Sequence, residues 1–188
     1  SRWGDIIDYL QQHPEINEVI LSGGDPLAVT DNYLSDFIGM IEGVAHIKRL
    51  RIHSRLPVVI PQRVTSELVT TLKNCRLQTV FVTHINHPNE IDELFAQAME
   101  RLSQAGISLL NQTVLLKDIN DDASILAQLS EKLFDCKILP YYLHLLDKVT
   151  GAHHFDTSEK HARAIMKQLQ TELAGFLIPK LVREEGGK

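Results

Sequence analysis

Cysteine is nearly absent from this sequence. Cys75 and Cys136 lie far apart and form no short-spaced metal-ligand pair. Each reads as a small buried side chain. The opening "SRWGDIIDYL" lacks a basic stretch followed by an apolar run, so no secretory leader is recognised. Few cysteines and no leader point to the reducing cytoplasm rather than a disulfide scaffold. No apolar run approaches the ~20 residues of a membrane span. Positive charge is not in excess. Lys and Arg number 19 against 24 Asp and Glu, a formal net charge of −5. Bulk attraction to nucleic acid or to an anionic membrane is therefore not expected. A starting methionine is also missing, and the chain stops abruptly at "EEGGK". Both ends read as cut, so a fragment is expected.

What is present is a globular pattern. The 188 residues are 44% hydrophobic, enough for one domain with a sizeable core. Short β-rich runs alternate with helical patterns. Helices are expected over Trp3–Gln12, Asn32–Ile41, Ser66–Asn74, Glu90–Ala105, Ala123–Phe134 and Ser158–Leu173. Strands are expected over Glu18–Ser22, Lys48–His53, Gln78–Thr83, Ser108–Thr113 and Lys137–His144. Asp31 and Thr157 stand where N-caps belong, and Gly106 where a left-handed C-terminal residue is wanted. Regular strand–helix alternation argues for βα units on a parallel sheet, an α/β fold. Spacing alone leaves an open sheet and a barrel equally open.

The polar residues carry more. Ser22 to Asp25, His53 to Arg55, Thr83 to His87, Asn111 with Gln112, and Asp147 fall at or past the expected C-terminal strand ends. In a parallel sheet those ends share one rim, which in (β/α) barrels carries the active site. "GGDP", Gly23 to Pro26, is either a tight turn or a backbone cradle in which Asp25 and carbonyls meet a cationic amine. Arg55 is a surface residue or a bidentate carboxylate binder, and Arg63 is more structural. His84 and His87 have metal-like spacing, but Pro88 and Asn89 argue for a loop with a helix starting near Glu90. Asn111 and Gln112 bring amides that both donate and accept. In "YYLHLLDKVTGAHHF", Asp147 is an anion suited to an ammonium, and His144, His153 and His154 read as ordinary strand and loop residues. Gly186-Gly187-Lys188 is uninformative alone.

Taken together, "LSGGDPL", "IHSRLPVVIPQR", "THINHPNE", "LLNQTVLLKDIND" and "PYYLHLLDKVTGAHHF" resemble the lysine 2,3-aminomutase family of radical S-adenosylmethionine (SAM) enzymes. The runs occur in family order along nearly the whole chain. "RLRIHSRLPVVIP" and "YYLHLLDKV" resemble the EpmB-like subgroup, which serves β-lysylation of elongation factor P. The resemblance implies a partial (β/α)6 barrel, here about five βα units. It implies a [4Fe-4S] cluster with an electron donor, SAM, pyridoxal 5′-phosphate (PLP), L-lysine as substrate, and a functional link to the elongation factor P ligase. Nitrogen would migrate between C2 and C3 of lysine. By position, Gly23, Gly24 and Asp25 would meet the methionine amino group of SAM. Ser54 and Arg55 would lie near its carboxylate or ribose, and His84 and Gln112 near its adenosine. Asp147 matches the aspartate that holds the substrate's side-chain ammonium, and Glu184 stands where a second aspartate is usual. Lys188 is a candidate PLP lysine, with a later lysine beyond the chain as the alternative. The family's CxxxCxxC cluster loop is absent, as are the basic residues for the PLP phosphate. Both are expected upstream of Ser1, and the fragment alone is expected to be inactive.

Two other readings stay open on the residues. One is a barrel metallohydrolase using His53, His84, His87 and Asp147. The other is a SAM-binding module without radical chemistry.

Overall fold

The computed structural model describes residues 2–145 and 157–183. Helix α1 (Arg2–Gln12) leads into strand β1 (Glu18–Leu21). Five βα steps follow. They comprise α2 (Asp31–Glu42), β2 (Arg49–Ser54), the short α3 (Leu56–Val59), α4 (Ser66–Asn74), β3 (Gln78–His84), α5 (Glu93–Gln104), β4 (Ser108–Leu115), α6 (Ala123–Asp135), β5 (Ile138–Leu145) and α7 (Glu159–Glu172). A sixth strand, β6 (Lys180–Val182), closes the order.

All neighbouring strands are parallel, in the order β1-β2-β3-β4-β5-β6. That order settles what spacing left open. A doubly wound sheet reverses direction at a switch point; here each strand is added on the same side of the last. A parallel sheet grown one way with right-handed crossovers curls toward a barrel. Strands β1 and β6 do not pair with each other, so the barrel is partial.

The core follows from periodicity. On β2, Leu50, Ile52 and Ser54 are buried while Arg49, Arg51 and His53 alternate with them. Helix α5 buries Phe95, Ala98, Met99 and Leu102, one stripe at helical spacing. Those stripes pack on the outer face of the sheet, and the alternate strand residues line the lumen.

Several boundaries differ from the sequence reading. Thr30 and not Asp31 caps α2, accepting from Tyr33 N at 3.3 Å, because Asp31 pairs with Arg63 at 2.6 Å. Ser158 and not Thr157 caps α7 through His161 N at 3.2 Å. Helix α5 starts at Glu93, capped by Asp92, because Pro88–Glu90 forms a separate 3-10 turn. Strand β4 runs on to Leu115 because Thr113 to Leu115 pair with Leu143 to Leu145. Asn111 and Gln112 are therefore mid-strand residues. Gly106 does take the left-handed conformation, at φ +84°.

Candidate active site at the barrel rim

The rim begins with the turn after β1. Gly23 and Gly24 have φ of +82° and +57°, two successive left-handed positions that only glycine adopts without strain. Space beside both is open: a Cβ on either would meet nothing within 4 Å. The turn thus offers bare backbone to whatever lies over it.

Asp25 fastens that turn. Its Oδ1 accepts from Leu27 N at 2.9 Å and from Ser54 Oγ at 2.7 Å. Its Oδ2 accepts from Arg55 N at 2.8 Å and Leu56 N at 3.0 Å. The carboxylate is filled by four donors of its own chain. In this arrangement Asp25 ties β1 to β2, and the space beside Gly23 and Gly24 stays open. Ser54 belongs to the same node. It is buried on the helix face, and its hydroxyl is spent on Asp25 while accepting from Leu56 N at 3.1 Å.

Arg55 emerges from this node with its guanidinium exposed. One Nη donates to Glu90 Oε2 at 3.2 Å. Glu90 Oε1 accepts from Asn86 N at 2.8 Å and His87 N at 2.9 Å. Glu90 thus links Arg55 to the loop after β3. The sequence reading places a helix start at Glu90; the signal it holds is the capping-box spacing, Glu90 three residues after His87. His87 is a loop residue, its Nδ1 accepting from Asn89 N at 3.2 Å. That capping role takes it out of the proposed metal set. Among the described residues, no three His, Cys, Asp or Glu side chains gather as a metal site.

Asn111 and Gln112, adjacent in sequence, diverge completely. Asn111 is buried on the helix face, where Oδ1 accepts from Thr83 Oγ1 and Ile85 N at 2.8 and 2.9 Å. Its Nδ2 donates to Ile85 O and Thr113 Oγ1 at 3.1 and 2.9 Å. It is a structural amide, not a ligand reader. Gln112 pairs in register with His84 on the lumenal face.

The lumen has its own row. Alternation and register place His53 on β2, His84 on β3, Gln112 on β4 and Tyr142 on β5 on one face. The rings of His53 and His84 stand 5.6 Å apart at 88°. Below them, toward the N-terminal strand ends, Arg51 Nε meets Glu18 Oε1 at 3.0 Å. Burial, with Arg51, His84 and His144 adding, pushes the His53 pKa down to about 4. Burial also lowers His84, with Asp25 opposing and Arg55 and His144 reinforcing. Both imidazoles are neutral near pH 7, each with one donor and one acceptor nitrogen.

A SAM-like ligand fits this donor set. The glycine turn gives open backbone, Arg55 a free-edged cation, and His84 a buried Nε2 without a hydrogen-bond partner. For an iron–sulfur cluster these residues supply no ligands. The chain's two cysteines are the C-caps of α4 and α6, at the opposite end of the strands from the rim. Burial raises both thiol pKa values, so neither is a ready thiolate ligand. Asp147, Glu184, Lys188, His153 and His154 lie outside the described residues.

No family model matches the chain. Curated relatives do. It is 58% identical over 186 residues to an L-lysine 2,3-aminomutase from Haemophilus influenzae, covering 99% of this chain and 55% of the relative. It is 53% identical over 186 residues to the protein of the same name from Escherichia coli, covering 99% and 54%. The chain spans about half the length of these relatives. Among solved structures, a radical SAM methyltransferase from Sphaerobacter thermophilus superposes with a TM-score of 0.70 at 13% identity, over 98% of this chain and 57% of that one. At that identity the likeness speaks for the fold, a radical SAM-type partial barrel.

Proposed function

The chain is related over nearly its whole length to the L-lysine 2,3-aminomutases, and on that premise we propose that it is the barrel core of such an isomerase. The observation that carries the reading is 58% identity across 99% of the chain. That identity goes well beyond a likeness of fold. The whole enzyme would convert L-lysine to β-lysine by moving the amino group between C2 and C3. SAM with a [4Fe-4S] cluster would supply the radical chemistry and PLP would carry the migrating nitrogen. The cluster ligands and the basic residues for the PLP phosphate would come from the part of the relatives that this chain does not span.

The chain's own residues bind and orient. Gly23 and Gly24 present backbone to the methionine amino group, with Asp25 and Ser54 fixing the turn. Arg55 takes the methionine carboxylate, held by Glu90. His84 and Gln112 line the lumen against the adenosine. Asp147 and Glu184 are the proposed partners of the lysine side-chain ammonium, and Lys188 is the proposed PLP lysine. A carboxylate there selects lysine over neutral side chains, since an unpaired buried charge is strongly disfavoured. The resemblance to the EpmB-like subgroup supports a role in supplying β-lysine for elongation factor P, in the cytoplasm. No helix among the described residues is long and apolar enough to cross a membrane.

The test uses the full-length protein that contains this chain. It is reconstituted with iron and sulfide under anaerobic conditions and given SAM, PLP, a reductant and L-lysine. Mass spectrometry should show β-lysine, and omission of SAM should abolish it. Absence of β-lysine from a protein with an intact cluster spectrum and bound SAM would overturn the reading. Loss of β-lysyl elongation factor P on deleting the gene would support the cellular role; unchanged modification would reject it.

A further inference from the structure

We propose that His53 is a further ligand-binding residue of the lumen, pairing with His84 to hold the neutral nucleoside half of the bound cofactor. The proposal rests on the SAM reading of the rim.

Position comes first. His53 precedes Ser54 by one residue, so it points to the opposite face of β2, into the lumen. It shares that face with His84 and Gln112, residues of the next two strands. The His53 and His84 rings meet edge-on at 5.6 Å. Hydrogen bonding comes second. The Nε2 atoms of His53 and His84 are both buried with no partner. A buried polar atom left unpaired is costly, a penalty a ligand removes by bringing its own donor or acceptor. Two such atoms side by side on adjacent strands mark one binding surface rather than two accidents.

The chemical class follows from how charge is distributed. The described rim holds the charged groups, with Arg55 presented and the Asp25 carboxylate consumed by its own chain. Across the lumenal row, His53, His84 and Gln112 offer neutral donors and acceptors. Beneath them the charge of Arg51 is matched by Glu18. With both imidazoles neutral near pH 7, neither an ammonium nor a phosphate finds a counter-ion in that row. Hydroxyls and ring nitrogens do, and those are the groups of a nucleoside. A zwitterionic head on the rim and an uncharged nucleoside in the lumen describe one ligand lying across both.

The experiment separates the two halves in the full-length protein. Dissociation constants are measured by calorimetry for SAM and for 5′-methylthioadenosine, which keeps the nucleoside and lacks the amino-acid head. His53→Phe keeps the ring contact with His84 and removes the nitrogen. It should weaken both ligands about 10-fold, the loss of one hydrogen bond worth ~1.4 kcal/mol. His53→Gln, which keeps a polar group, should recover part of that loss. Arg55→Gln should weaken SAM alone. If the wild type binds both ligands and both His53 variants bind methylthioadenosine as well as it does, the role of His53 is overturned while the SAM reading stands. A higher KM for lysine in those variants would then place His53 on the substrate. If the wild type binds neither ligand, the SAM reading itself falls.

Discussion

Ser54 donates its hydroxyl hydrogen to Asp25 Oδ1 at 2.7 Å, and this bond joins the turn after β1 to the end of β2. Two rim elements, the glycine turn and the end of β2, are thus held in one register by a carboxylate whose oxygens accept from donors of its own chain. The arrangement is rigid because three backbone N–H groups complete it, from Leu27, Arg55 and Leu56. Preorganised donors and acceptors of this kind let a site bind without first ordering its own loops.

Asp25→Asn should therefore damage the fold of the rim before anything else. Whichever way the new amide turns, its NH2 meets donors that formerly met oxygen. The loss should be about 1–3 kcal/mol, read as a lower urea midpoint. Ser54→Ala removes one of the four bonds and should lose about 1 kcal/mol. A wild-type midpoint for Asp25→Asn would mean that the node contributes little.

The glycine turn gives a second test. Open space surrounds both positions, so substitution is resisted by backbone conformation and not by a clash. Gly23→Ala and Gly24→Ala should each lose about 1–2 kcal/mol, the strain of a Cβ in the left-handed region. Gly24→Asn should lose less, since asparagine tolerates that region. Equal loss for Ala and Asn would point away from φ as the cause.

Much of this was legible beforehand. Strand–helix alternation gave the α/β class, and the polar strand ends gave the rim. What the sequence could not carry was the face on which a side chain falls when a strand boundary is off by a residue or two. Asn111 and Gln112 looked alike at a strand end, yet β4 continues to Leu115 and turns them to opposite faces. The family resemblance places Asp25 and Ser54 near SAM but says nothing of how they meet each other. Their mutual bond is a contact across 29 positions that no local pattern encodes. Strand β6 was missed because three residues show no period.

Asn111 and Gln112 then predict opposite phenotypes. Asn111→Ala strips partners from Thr83, Ile85 and Thr113 in a buried site. It should lose about 2 kcal/mol or more of stability. Gln112→Ala, on the lumen, should leave the urea midpoint within about 0.5 kcal/mol and weaken SAM binding instead. The reverse pattern would mean that the two faces of β4 are misassigned.

The lumenal histidines make stability depend on pH, and the direction follows from linkage. In the unfolded chain His53 has its ordinary pKa of 6.5, and in the fold, mainly through burial, about 4. Above pH 6.5 both states are neutral at this residue, and the shift contributes nothing. Between pH 6.5 and 4 the unfolded chain binds the proton and the folded chain does not, so stability falls as pH falls. Below about 4 the loss is complete and levels off. His84, also lowered mainly by burial, adds to the decline below its ordinary pKa. Urea midpoints measured at intervals from pH 8 to pH 4.5 should therefore decline, and His53→Gln should flatten the decline by removing one titrating group. Carboxylates that titrate lower down affect both proteins equally, so the difference between the two curves isolates His53. A slope unchanged in the variant would show that His53 charges as readily in the lumen as in water, and that the lumen is wetter than its burial implies.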